Sequence, residues 1–103
     1  LELIGNETLA AQLTTAVYGW AAPAAVTLFV SAVWDRNFQK YREYGYRAML
    51  MEAGHLVQNL QLVATSLGLH YCSFVGFDEE RVDEILDINA ALEENVLYVF
   101  VAE

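Results

Sequence analysis

The chain has 103 residues, a formal net charge of −9 and one cysteine, and 56% of its residues are hydrophobic. This length allows one domain, and the apolar content argues against intrinsic disorder. With 14 acidic residues against 5 basic ones, the chain lacks the basic footprint that nucleic acids and anionic membranes attract. The longest apolar run, 21–30, is broken by Pro23 and Thr27 and is too short to span a membrane.

The cysteine count and the first residues bear on the compartment and on completeness. A single cysteine cannot form an internal disulfide, which fits a reducing compartment, so we expect a cytoplasmic protein. The first residues lack the basic region of a signal peptide. Because the chain starts at Leu1 and carries more apolar surface than its size can bury, we expect residues 1–103 to be part of a larger domain.

Helical and strand patterns alternate over the first part of the chain. Apolar spacing predicts a helix over 6–19, capped by Asn6 and ended by Gly19. A turn follows at 20–23, and the Val-, Leu- and Phe-rich residues 24–33 predict a buried strand. The polar stretch 35–44 fits either a loop or the start of a helix.

The strongest periodicity lies at 45–67, where two apolar stripes run side by side. The first comprises Tyr46, Leu50, Ala53, Val57, Leu60, Ala64 and Leu67, and the second Met49, Leu56 and Val63. These spacings predict a long helix that is apolar around much of its circumference, which is typical of burial inside a domain or a dimer. Gly68 is the expected stop.

The last third predicts two strands with a helix between them. Residues 69–74 form an aromatic strand, Asp78 caps a helix over 79–87, and 96–102 form a strand buried on both faces, after a loop at 89–95. The order α-β-α-β-α-β indicates a layered α+β or α/β architecture.

Four constellations carry possible chemistry. Lys40-Tyr41 can serve acid–base catalysis if burial or neighbouring cations favour the neutral lysine, although a surface lysine beside a packing tyrosine is the simpler interpretation. Glu52, His55 and Asn59 share one helical stripe, which indicates a hydrogen-bonded polar seam within a buried helix; no second histidine is spaced for a metal site. Cys72 lies in an apolar strand without a basic neighbour, which is typical of an inert thiol.

The fourth constellation is the strand–turn–helix of residues 73–78. Gly76 lets the backbone approach a ligand, and the N–H groups there can hold an electronegative atom, although an Asp-capped turn without a ligand has the same pattern.

Taken in order, these segments resemble the SagB-type nitroreductase-like flavoproteins, which include the azoline dehydrogenases of peptide-modifying pathways. The resemblance covers nearly the whole chain and is strongest over 36–101. It is carried by Lys40-Tyr41, Gly45-Tyr46-Arg47, Glu52-Ala53-Gly54-His55, Gln58-Asn59-Leu60, Leu67-Gly68-Leu69, Gly76-Phe77-Asp78 and the closing strand Glu94–Val101. Arg42 departs from the family, which often has glycine after the Lys-Tyr pair, and Val75 replaces a common Glu or Gly.

The resemblance implies the C-terminal half of an α+β, three-layer nitroreductase-like fold, with a long buried central helix and a mixed, mostly antiparallel sheet. It implies FMN as cofactor and a homodimer, or a heteromer with the missing N-terminal half. Lys40 and Tyr41 would be catalytic, and the azoline ring of a peptide would lose a proton to the lysine and a hydride to the flavin. The cofactor-binding residues would be Ser73, Phe74, Val75 and Gly76, together with Arg36 and Arg47. The FMN phosphate would be held by one of Arg36, Arg42 and Arg47, by a partner chain or by the missing half.

Two other functions remain open from the sequence. One is a general NAD(P)H-dependent nitroreductase or flavin reductase acting on small molecules. The other is a flavin-free half that serves dimerisation or peptide docking.

Overall fold

The computed structural model describes residues 7–21, 23–88 and 93–103. In chain order the elements are α1 (Glu7–Ala16), β1 (Val26–Val33), α2 (Trp34–Tyr41), α3 (Tyr44–Ser66), β2 (Tyr71–Phe74), α4 (Glu79–Leu86) and β3 (Glu94–Ala102). All six predicted elements are present, with bounds shifted by up to three residues. The predicted burial of the strand at 24–33 is wrong for the described residues, because only Ala32 of β1 is buried and the rest of the strand is half-buried or exposed. The open segment 35–44 is a helix over most of its length, whereas the predicted cap Asn6 and residues 89–92 lie outside the described residues.

The three strands form one sheet in the order β1-β3-β2. Both β1 and β2 pair antiparallel with β3, so β1 and β2 run in the same direction on either side of it. Leu28 of β1 and Ser73 of β2 both pair with Phe100 of β3, which sets the register of the two outer strands relative to each other. Within the described residues the sheet is therefore entirely antiparallel, whereas the resemblance implies a mixed, mostly antiparallel sheet.

Alternating side chains of β3 supply two cores, one on each face of the sheet. Val99 and Val101 pack with Val17, Ala21 and several half-buried aromatic residues on the face that α1 and α4 cover. Phe100 and Ala102 pack on the opposite face with Val57 and Ala64 of α3. The predicted burial of this strand on both faces is confirmed for its second half, and the result is a three-layer α/β/α arrangement.

Helix α3 buries one side against the sheet and exposes the other. Its buried residues are Gly45, Ala53, Val57 and Ala64. On the outer side the exposed fractions of Tyr44, Met51 and Leu62 are 67%, 57% and 59%. The helix is apolar around much of its circumference, as predicted from the sequence, but among the described residues only the side that faces the sheet is buried.

Gly68 ends α3, as predicted, through a backbone conformation that favours glycine. Its φ is +69°, its N–H donates to Thr65 O at 3.0 Å, and the N–H of Leu69 donates to Ala64 O at 2.9 Å. These two bonds form a Schellman motif and satisfy carbonyls at the helix end.

No helix in the described parts of the chain combines the length and the apolar character needed to cross a membrane.

Candidate functional site

Helix α2, which carries the Lys40-Tyr41 pair, is anchored by Trp34 in its first turn. The Trp34 ring lies between the rings of Phe38 and Tyr46, at centroid distances of 6.0 and 5.4 Å. Its Nε1–H donates to Asn95 Oδ1 at 2.8 Å. Trp34 therefore fixes α2 to the first turn of α3 and to the start of β3, which the sequence pattern alone does not indicate.

Lys40 and Tyr41 form a contacting pair at the end of α2. The Nζ atom of Lys40 lies 5.0 Å from the centroid of the Tyr41 ring, within the range of a cation–π contact. Both side chains are exposed. The pair thus presents an amine and a phenol side by side on an open surface.

Four of the five basic residues, including Lys40 of this pair, lie within twelve positions of the sequence: Arg36, Lys40, Arg42 and Arg47. Each is exposed, and none makes an ion pair with any residue that the structure describes. A separate acidic cluster, residues 78–87, lies on and around α4, where burial and the nearby Glu79 raise the pKa of the Asp83 carboxyl. The basic stretch, 34–47, carries only two carboxylates, Asp35 and Glu43, so its net positive charge is suited to an anionic group.

The predicted ligand-binding segment, Ser73 to Gly76, begins at the end of edge strand β2. The Ser73 hydroxyl accepts a hydrogen bond from Gln61 Nε2 of α3 at 2.7 Å, which ties the strand to the long helix. His70 and Glu103 exchange both backbone bonds at 2.9 Å. Because hydrogen-bonded pairs alternate along an antiparallel ladder, the N–H and C=O groups of Tyr71 and Ser73 point away from β3.

The backbone N–H groups of Val75 and Gly76 have no hydrogen-bond partner among the described residues. Val75 is also 66% exposed. Two consecutive unpaired donors at the end of an edge strand can hold an acceptor atom, as the sequence pattern predicts.

The sequence predicts that a ligand approaches the backbone at Gly76, whereas in the structure the side chain of Tyr18 lies there. A Cβ built on this glycine would overlap the phenol oxygen of Tyr18, while the φ of Gly76 lies outside the left-handed region. Within the described residues, the missing side chain thus makes room for Tyr18, whose part in the site the sequence does not reveal.

The two predicted parts of the site follow the two parallel-running strands. Helix α2 follows β1, and the Val75-Gly76 segment follows β2, so the chain leaves the sheet in the same direction at both places. They flank the first half of β3 from opposite sides.

The remaining candidates do not form sites. Glu52, His55 and Asn59 lie exposed on α3 without side-chain hydrogen bonds to other described residues, so the prediction of a buried, hydrogen-bonded seam is wrong for the described part of the chain. Cys72 is a free, exposed thiol, and its apolar strand does not bury it. Among the described residues, no group of three or more His, Cys, Asp and Glu side chains could hold a metal ion.

Comparison with known proteins gives consistent matches over this chain. The nitroreductase family matches residues 5–102. The Methanocaldococcus jannaschii protein named "Putative nitroreductase MJ1384" is 37% identical over 87 residues, covering 84% of this chain and 42% of that protein. The Escherichia coli microcin B17-processing protein McbC is 33% identical over 57 residues, covering 55% of this chain and 21% of McbC.

Solved structures agree on the fold. A crystal structure of a "putative nitroreductase" from Anabaena variabilis superposes with a TM-score of 0.84 at 25% identity, covering 95% of this chain and 20% of that one. A chain of the E. coli microcin synthetase McbBCD complex with truncated pro-MccB17 bound gives a TM-score of 0.75 at 22% identity, covering 98% and 38%.

The chain thus spans less than half the length of each of these relatives. The family match nevertheless extends over nearly every residue, and it agrees with the three-layer arrangement described above. The chain belongs to the nitroreductase family.

Proposed function

We propose that this chain is part of an FMN-dependent oxidoreductase that oxidises azoline rings to azoles in a ribosomally made peptide. The observation that carries the proposal is the pair of unpartnered amides at Val75 and Gly76, at the end of β2. Family membership makes a flavin the natural group to accept hydrogen bonds there. When bound, FMN supplies the acceptor for two electrons, while the protein supplies position and electrostatics.

The residues present fit such a cofactor in two respects. Backbone donors at Val75 and Gly76 can stabilise negative charge that develops on a reduced isoalloxazine ring, as an oxyanion hole does for oxygen. Ser73 and Phe74 lead into this segment and are fixed by Gln61 and by an aromatic cluster. Arg36 and Arg47, which make no ion pair with described residues, are the proposed partners of the phosphate.

The Lys40-Tyr41 pair is the proposed acid–base group. Oxidation of an azoline to an azole removes one ring hydrogen as a proton and another together with its electron pair. Lys40, in its neutral form, takes the proton at Nζ, and the adjacent Tyr41 orients that amine or relays the proton from it. The exposure of both side chains leaves them accessible to a peptide.

The choice of an azoline peptide rests on the SagB-type resemblance and on the likeness to McbC, which processes microcin B17. The likeness to the M. jannaschii protein favours a second candidate, a nitroreductase that takes electrons from NAD(P)H. Stopped-flow absorbance separates the two, because NAD(P)H bleaches the flavin rapidly in the second case, whereas only an azoline peptide does so in the first.

The exposed apolar side of α3 is the proposed interface with another subunit. We further propose that the rest of the domain, on this polypeptide or on a separate one, covers the open edge of β1. Its eight residues carry no charge, and monomeric proteins usually protect such edges.

The test begins with the visible spectrum of the protein purified in its native assembly. Flavin absorbance supports the proposal, and colourless protein that FMN does not reconstitute contradicts it. Lys40→Ala should then lower azoline oxidation by about 10²–10⁴-fold, the usual contribution of a general base, while leaving FMN bound. The matched control is Gln39→Ala, an exposed neighbour on α2 whose change should leave turnover intact. Unchanged turnover in Lys40→Ala would remove this lysine from the mechanism.

A further inference from the structure

The segment from Ser73 to Asp78 is held from both helical layers, on either side of its free amides. Ser73 accepts the hydrogen bond from Gln61 on the α3 side. On the other side, the N–H of Asp78 donates to Ala16 O at the end of α1, at 2.9 Å. Val75 and Gly76 lie between these two attachments.

Tyr18 adds a third attachment in the middle of the segment. Its ring stacks on Trp20 at 5.8 Å with an interplanar angle of 11°. It also meets the Phe74 ring edge-on at 5.5 Å. This aromatic cluster directs the phenol oxygen onto Gly76, at the place where a side chain would begin.

We infer that Tyr18 is a positioning residue for the flavin site, because its phenol sets where the amides of Val75 and Gly76 stand. The inference rests on the proposed function, since it assigns those amides to FMN. Gly76 has an ordinary φ, so this position needs glycine for space. Donors that are fixed before the cofactor binds stabilise developing charge most effectively, because they need not reorganise.

A double-variant cycle tests the contact between the two residues. Gly76→Ala places a methyl group on the Tyr18 oxygen and should displace the segment. In Tyr18→Phe that oxygen is gone, and the nearest remaining ring atoms would stand 3.3 and 3.5 Å from the new methyl group. The phenylalanine should therefore accommodate the alanine with a shift of a few tenths of an ångström.

Three quantities are measured for the wild type, the two single variants and the double variant, each in its native assembly. They are the FMN dissociation constant, the reduction potential of bound FMN and the thermal unfolding of the FMN-free form. Gly76→Ala alone should raise the dissociation constant by about tenfold or more and lower the potential, since misplaced donors stabilise the reduced cofactor less. Tyr18→Phe/Gly76→Ala should match Tyr18→Phe within about twofold. Gly19→Ala is the matched control, because a Cβ there meets no atom within 4 Å.

The outcomes separate the two claims. If the wild-type assembly binds FMN but the double variant is as impaired as Gly76→Ala, Tyr18 does not set the amides and the inference fails alone. A changed melting temperature with an unchanged potential also overturns it, because Tyr18 would then support the fold only. If the wild type never binds FMN, the proposed function fails and the inference with it. The inference holds if Tyr18→Phe alone weakens FMN binding and lowers the potential, and if the double variant matches Tyr18→Phe and not Gly76→Ala. Wild-type binding and potential in Tyr18→Phe would overturn it, because the amides would then stand correctly without the phenol.

Discussion

Arg42 adopts a backbone conformation that is unfavourable for a residue with a side chain. It follows the last residue of α2 with φ 51° and ψ −129°, a combination that glycine adopts freely and other residues do not. The conformation persists because both neighbouring bonds are made: its N–H donates to Phe38 O, and its carbonyl accepts from the N–H of Gly45, each at 3.0 Å. Many members of the resembled family have glycine at this place, which agrees with the geometry.

Replacing Arg42 by glycine should therefore stabilise the protein. We expect the free energy of unfolding to rise by about 1 kcal/mol, as the strain at a non-glycine residue is relieved. Urea denaturation of the wild type and Arg42→Gly measures the difference. Arg42→Ala removes the same charge but keeps the Cβ, so it should give no such gain; equal gains in both variants would assign the effect to the charge.

At the scale of the element, two of the three glycines in α3 and its cap, Gly54 and Gly68, have opposite requirements. Gly54 lies within the helix, exposed, and a Cβ there meets no atom within 4 Å. Gly68 lies just beyond the helix at φ +69°, where a Cβ again meets nothing but the backbone conformation disfavours one. Space is thus available at both positions, and only the backbone differs.

The same substitution should consequently change stability in opposite directions. Gly54→Ala should raise the free energy of unfolding by about 0.5–1 kcal/mol, because alanine loses less backbone entropy in a helix. Gly68→Ala should lower it by about 1–2 kcal/mol through the left-handed conformation. Thermal and urea unfolding of the two variants give the signs, and two changes of the same sign would refute the assignment of Gly68 as the cap.

For the whole molecule, the main feature is the outer side of α3, which the described residues leave uncovered. Met51 and Leu62 of this long helix are both more than half exposed. Such a surface on a small domain usually belongs to an interface. The outer face also carries polar residues such as His55 and Gln58, which fit an interface better than a membrane surface.

Leu62→Glu should weaken association of the subunits. Burying an unpaired carboxylate at an interface costs several kcal/mol, so we expect the dissociation constant to rise by at least about tenfold. Light scattering over a dilution series measures it. Gln12→Glu on the exposed side of α1 adds the same charge in the other helical layer and should leave the mass unchanged. A mass that Leu62→Glu also leaves unchanged would place the interface elsewhere.

Most of the secondary structure could be predicted because local signals agree with one another. The apolar spacing of α3, the cap at Asp78 and the stop at Gly68 each act within a few residues, and the structure confirms all three. Helix α2 was ambiguous because it carries no capping side chain and buries none of its own residues. What fixes it is Trp34, whose partners lie 12 and 61 positions along the chain.

The sequence by itself determined the order of elements, the apolar stripes of α3 and the presence of Lys40, Tyr41 and Gly76 in a recognisable series. Only the tertiary structure decided that Tyr18 fills the space beside Gly76 and that Gln61 holds Ser73. It also decided which side of α3 meets the sheet. The physical reason is the separation of the interacting residues along the sequence. Helix propensities and caps depend on residues that are neighbours in the chain. The contacts of Tyr18 and Gln61, in contrast, form only when helices pack on both faces of the sheet.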